Sequence, residues 1–166
     1  FSFYPFSRLN KTMWASKHTR SDEIMAKGSR IRFERYIGLI HSLAIYRLNP
    51  VRRIQSYRHY RRFIEPGDLC FDIGAHVGDR VATFLSLGAK VVAVEPLPDL
   101  VRFLNRLYHH NNRVTLVEAA VGAAAGARSM LVSDLTPSMS TIAHGWARDI
   151  ATQRRFSKVS WNTKIN

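Results

Sequence analysis

Apolar positions recur along this chain with two different periods, and the changes between them mark out its elements. Between residues 31 and 48, Ile31, Phe33, Tyr36, Ile37, Ile40, Ala44, Ile45 and Leu48 fall mostly on one face of a helix, which Asn49-Pro50 ends. A second helix is predicted over 51–63, where Arg52, Arg53, Arg58, His59, Arg61 and Arg62 alternate with Ile54 and Tyr57, taken to face inward. The run Leu69-Cys70-Phe71-Asp72-Ile73 then reads as a strand with an acid inside it. Val77, Val81, Phe84, Leu85 and Leu87 predict an amphipathic helix that Gly88 closes. Lys90 to Val94 is a second strand, and Pro98-Asp99 opens a helix through about Tyr108, with Leu100, Phe103, Leu104 and Leu107 apolar. Val114 to Val117 is a third strand. The alternation βαβαβ argues for an α/β fold of Rossmann-like, doubly wound type, with a mostly parallel sheet and a basic helical extension before it.

The flanks carry weaker patterns. Residues 1–30 show no sustained period and read as a loosely ordered leader; 31–64 form a basic helical hairpin. Beyond the third strand, 121–127 is a small-residue connector and 129–133 a short extra strand. Ser140 or Thr141 is expected to cap a helix running to about Arg154. The tail, 156–166, reads as the approach to another strand.

Composition changes this picture in two places. A length of 166 residues with 46% hydrophobic and 22% charged content fits one globular core. The net charge of +13 is uneven: residues 1–64 hold 14 Lys/Arg against 3 acids, and residues 65–166 hold 11 against 9. A nearly neutral second part argues against a nucleic-acid-binding core. The basic hairpin is suited either to capping one side of the sheet with a solvated face or to peripheral contact with an anionic membrane through residues 31–64. No apolar run is long enough to span a bilayer. The single cysteine, Cys70, excludes an internal disulfide; a buried thiol on the first strand fits a reducing, cytoplasmic compartment.

The chemistry concentrates in Asp72-x-Gly74-x-x-x-Gly78 and, about 20 residues further on, Glu95-Pro96 at the end of the second strand. Gly74 lets the chain leave its strand at angles other residues avoid, Gly78 lets the helix start lie close to the sheet, and free N–H groups there attract an anion. An acid at the position of Glu95 accepts hydrogen bonds from the ribose hydroxyls of an adenosine-bearing cofactor. The glycine spacing departs from G-x-G-x-x-G, which disfavours an NAD-dependent oxidoreductase. It suits a smaller zwitterion such as the methionine end of S-adenosylmethionine, with Asp72 near the ammonium and loop amides facing the carboxylate. His76, within the loop, shapes it or touches the cofactor, with a catalytic base as the lesser reading.

At these residues the chain resembles the FkbM family of S-adenosylmethionine-dependent methyltransferases, of the class I group. The matching blocks are Pro66-Gly67-Asp68, FDIGAHVGD (71–79), LGAKVVAVEP (87–96), VTLVEAAVG (114–122) and SDLTPSMSTI (133–142), in order over roughly residues 60 to 166. The resemblance implies methyl transfer, mostly to hydroxyl groups on sugars, lipids or natural products. It also implies cofactor contacts from Asp72, Gly74, Ala75, His76, Gly78, Glu95, Pro96, Glu118 and Ala119, the last two bordering the adenine. Residues 65–166 then correspond to the cofactor-binding part of such a domain, incomplete because the sequence ends before the family's later acid-rich strand block. Acceptor-binding and base-carrying residues are expected in that later part, so no catalytic residue is named. Ser138 and Ser140 resemble a family loop near the acceptor side. His109-His110 and His144 have no metal-like spacing, and no zinc, Walker or triad pattern is present. The alternative outside enzymology is a basic membrane-surface or partner-binding module on a Rossmann-type core.

Overall fold

The computed structural model describes residues 26, 28–31, 33–156, 159, 161 and 163–165. The expected leader lies outside these apart from residues 26 and 28–30, which are helical. A first helix, α1 (33–42), runs into a π-helical turn, Leu43–Arg47, and is followed by α2, Pro50–Tyr60. Asn49 caps α2 through its side-chain oxygen, which accepts from the N–H groups of Val51 and Arg52, with Pro50 at the first helical position.

Three strands follow: β1 (Leu69–Ile73), β2 (Lys90–Val94) and β3 (Val114–Val117), parallel and in the order β1-β2-β3. Their register sets Asp72 beside Ala93 and Ala93 beside Leu116. The crossovers are α3 (Asp79–Ser86) and α4 (Pro98–Tyr108). Two successive crossovers in one direction share a hand, so both helices come to the same face. There Val81 and Phe84 of α3 and Leu104 of α4 pack on Val91 and Ala93, with Cys70, Val114 and Leu116 half-buried at the edges. On the opposite face of β1, Leu69, Phe71 and Ile73 are 59%, 61% and 51% exposed.

A second apolar cluster brings Val77, Leu97, Leu100, Met130 and Val132 together with Leu39, Leu43 and Tyr46 from the first helical segment. Met130–Val132 forms β4, which pairs antiparallel with β5, Thr163–Ile165; α5 spans His144–Ala151. Among the described residues no helix is long and apolar enough to cross a membrane.

Four local expectations need correcting. Ile54 and Tyr57 do not face inward: they are exposed, and α2 lies on α3 through Ser56 and Tyr60 instead. The Tyr60 ring meets Phe84 edge-on at 4.9 Å and the Ser56 hydroxyl accepts from Thr83 at 3.3 Å. The apolar stripe of α1 (Phe33, Tyr36, Ile37, Ile40) faces solvent, because α1 packs by the face that carries Gly38 and Ser42. A Cβ at Gly38 would run into the Asp134 carbonyl, so only glycine permits that approach. Finally, α5 begins at His144 rather than at Ser140 or Thr141. Ser140 Oγ accepts from the Ser133 N–H, and Thr141 bridges Leu131, which keeps both in extended chain beside β4. Cys70 is half-buried, not enclosed, and burial pushes its thiol pKa up.

Candidate functional site

The carboxyl ends of β1 and β2 deliver the two loops on which the site is built. Gly74 turns out of β1 at φ +73° with open space where a Cβ would stand. His76 also takes a left-handed φ, of 53°, which is uncommon outside glycine. The loop is held from below by β2: the N–H groups of Gly74 and Ala75 both donate to the Val94 carbonyl, at 2.8 and 3.0 Å. The Gly78 N–H donates to Ala75 O. These three amides, with that of His76, are thus engaged within the site and do not stand free toward an anion.

Glu95, 3% exposed, ties the two loops together. Its Oε2 accepts from the His76 N–H at 2.8 Å and its Oε1 from the Leu97 N–H at 2.9 Å. Each carboxylate oxygen keeps a further lone pair for a donor, so a vicinal diol fits this acid. Burial raises its pKa above 4.5, against the two N–H bonds that lower it.

Glu95, Pro96, Gly74 and His76 line one cleft of about 300 Å³. Its remaining wall comes from Tyr46 and Arg52, from Asp79 and Arg80 at the start of α3, and from the loop bearing Pro137, Ser138 and Ser140. The floor is apolar, with Leu97, Leu100 and Met130. His76 presents its ring edge-on to Tyr46 at 5.3 Å; its Nε2 is buried without a partner, and burial holds its pKa below 6.5.

The other expected site residues lie elsewhere. Asp72 is 2% exposed and does not line the cleft: its Oδ1 accepts from Arg80 Nε at 2.7 Å, so Arg80 stands between it and the opening. Its Oδ2 is buried without a partner, and burial raises its pKa despite the pull of Arg80. Ala75 is wholly buried. Gly78 serves helix packing: a Cβ there would meet Leu104 at 2.8 Å, and its carbonyl accepts from Arg47 at 2.8 Å. Glu118 and Ala119 follow β3 on the surface, outside the cleft. Among the described residues there is no cluster of metal-ligating side chains; His109 and His110 sit at the end of α4, and His144 Nε2 contacts Ser129.

Among the polar residues of the cleft, Tyr46, Arg52, Asp79 and Arg80 were not singled out as site residues from the sequence. Arg80 carried a signal, since its place two residues after Gly78 puts it on the first turn of the helix that follows the loop. Tyr46 and Arg52 carried none, because only the reversal between α1 and α2 brings them over the loop.

No family model matches the chain, and no curated protein sequence is significantly similar to it. Among solved structures, a Clostridium thermocellum protein described as a "putative rRNA-methylase" is similar at 24% identity over 40% of each chain, with a TM-score of 0.35. A likeness of that extent carries no argument about this chain.

Proposed function

We propose that the chain is the cofactor-binding part of an S-adenosylmethionine-dependent methyltransferase of FkbM type, directed at a hydroxyl group. The observation that carries this reading is Glu95: a buried strand-end acid whose unused lone pairs sit beside an open glycine turn, in one cleft over a parallel sheet. That is the place and chemistry a ribose diol requires. The adenosyl moiety would lie along Pro96 and Leu97, and Gly74 leaves room for close approach of the rest. Because the amides of Gly74, Ala75, His76 and Gly78 are engaged, the Arg80 guanidinium is the cation suited to a methionyl carboxylate. Bound S-adenosylmethionine supplies a sulfonium-activated methyl group. What this chain contributes is the fixed position and the apolar floor that excludes water.

Calorimetry with S-adenosylhomocysteine and with NAD tests the reading. Saturable binding of the first and not of the second is expected; binding of NAD alone overturns it.

A further inference from the structure

Beside the Gly74–Glu95 cleft lies a second, of about 330 Å³, between α2 and the start of α3. The two meet, sharing Tyr46, Arg52, Asp79 and Arg80. Arg52, Arg53 and His59 of α2 line the second cleft, and the hydroxyls of Ser56 and Tyr60 add hydrogen-bond donors to its wall. Asp79 is its one acid.

Arg80 is paired with Asp72, whereas Arg52 and Arg53 stand without an ion-pair partner among the described residues. The ion pairs of arginine there involve Arg30, Arg35, Arg80 and Arg102. Arg52 lies with its guanidinium 5.0 Å over the Tyr46 ring. That contact fixes the group by its face and leaves its N–H edge for a ligand. Two guanidinium groups lining one recess raise its positive potential, and an anion that enters gains from both. A carboxylate satisfies one such fork, whereas a phosphate has the oxygens for two and draws on the hydroxyls as well.

We propose that the second cleft binds a phosphate group, and that the methyl acceptor is a phosphorylated small molecule. The phosphate is held by Arg52 and Arg53 at the wall of the second cleft, and the hydroxyl to be methylated reaches the first cleft across the shared wall. The acceptor assignment rests on the cofactor reading of the first cleft; the phosphate site rests on the arginines alone.

The test is titration of the full chain with inorganic phosphate at constant ionic strength, alongside titration with S-adenosylhomocysteine. Saturable phosphate binding is expected, weakened about tenfold or more in Arg52→Ala and in Arg53→Ala, the scale of a lost charge-assisted hydrogen bond. Both side chains are exposed, so thermal melts of the variants should match wild type and exclude unfolding as the cause. Glu95→Gln should keep the phosphate affinity while losing affinity for S-adenosylhomocysteine. Binding of S-adenosylhomocysteine without saturable phosphate binding overturns the phosphate site and leaves the cofactor reading standing. Phosphate binding without S-adenosylhomocysteine binding overturns the acceptor assignment. Association with phosphatidylserine vesicles in the absence of any response to free phosphate assigns the arginines to a lipid surface and overturns the proposal.

Discussion

Glu95 organises the site as well as lining it, since it holds His76 and Leu97 in place through their backbone N–H groups. Replacing it by Ala is expected to weaken S-adenosylhomocysteine binding by about 1–3 kcal/mol, the scale of an unmet buried polar group; calorimetry checks this. Its protonation also bears on stability. Burial lifts the folded pKa above 4.5, so the folded chain keeps a proton that the unfolded chain has released. The stability contributed is full below pH 4.5 and is lost as pH rises through the folded value. His76 runs the other way. Its folded pKa lies below 6.5, so its contribution is present above pH 6.5 and is lost as pH falls through the folded value. In urea melts across pH, Glu95→Gln should flatten the first dependence and His76→Asn the second; Asn suits the left-handed backbone there. Unchanged profiles would remove the groups from these roles. At this scale the place of Glu95 was legible because strand, glycine turn, helix, strand and acid follow one another in sequence, whereas Asp72 was expected at the cofactor and lies outside the cleft. The Arg80–Asp72 pair was not legible, since a helix side chain folding back over a strand leaves no periodic trace.

At the level of elements, the parallel strands and their crossover helices were legible because the apolar spacing changes cleanly at Gly74, Gly88 and Pro98. The orientation of α1 and α2 was not. Apolar spacing shows that a face exists without saying what it meets: α1 packs by Leu39 and the side carrying Gly38 and Ser42, and α2 by Ser56 and Tyr60. For α1 the deciding residue is Gly38, set against the Asp134 carbonyl. Arg35 adds a 2.7 Å bond from its Nε to Asp134 on the same side. Gly38→Ala should therefore lift α1 from the loop before α5 and destabilise the chain by about 1–3 kcal/mol, the usual range for forced overpacking. Thermal melts measure this; an unchanged midpoint would show that α1 does not depend on that contact.

Across the whole molecule, charge and apolar surface are distributed unevenly. The basic residues concentrate before residue 65, and α2 carries the arginines that the phosphate proposal uses. The sheet is covered by α3 and α4 on one face, while Leu69, Phe71 and Ile73 stand open on the other. An uncovered row of this kind binds apolar dyes, so Phe71→Ser should lower dye fluorescence while leaving helix content unchanged in circular dichroism. Equal fluorescence in the two proteins would mean that this face is covered. The charge division was legible by counting; the open face was not, because the apolar residues of β1 alternate with Cys70 and Asp72 in a way that does not say which side is packed.

The claim on which the functional reading depends is that an adenosyl diol is bound by the acid at the end of β2. The most direct measurement is a titration of isotopically labelled protein with S-adenosylhomocysteine, following the amide resonances of His76 and Leu97. Both donate to Glu95, so both should shift together and saturate along one binding curve. Saturable shifts elsewhere with these two amides unmoved would contradict the account.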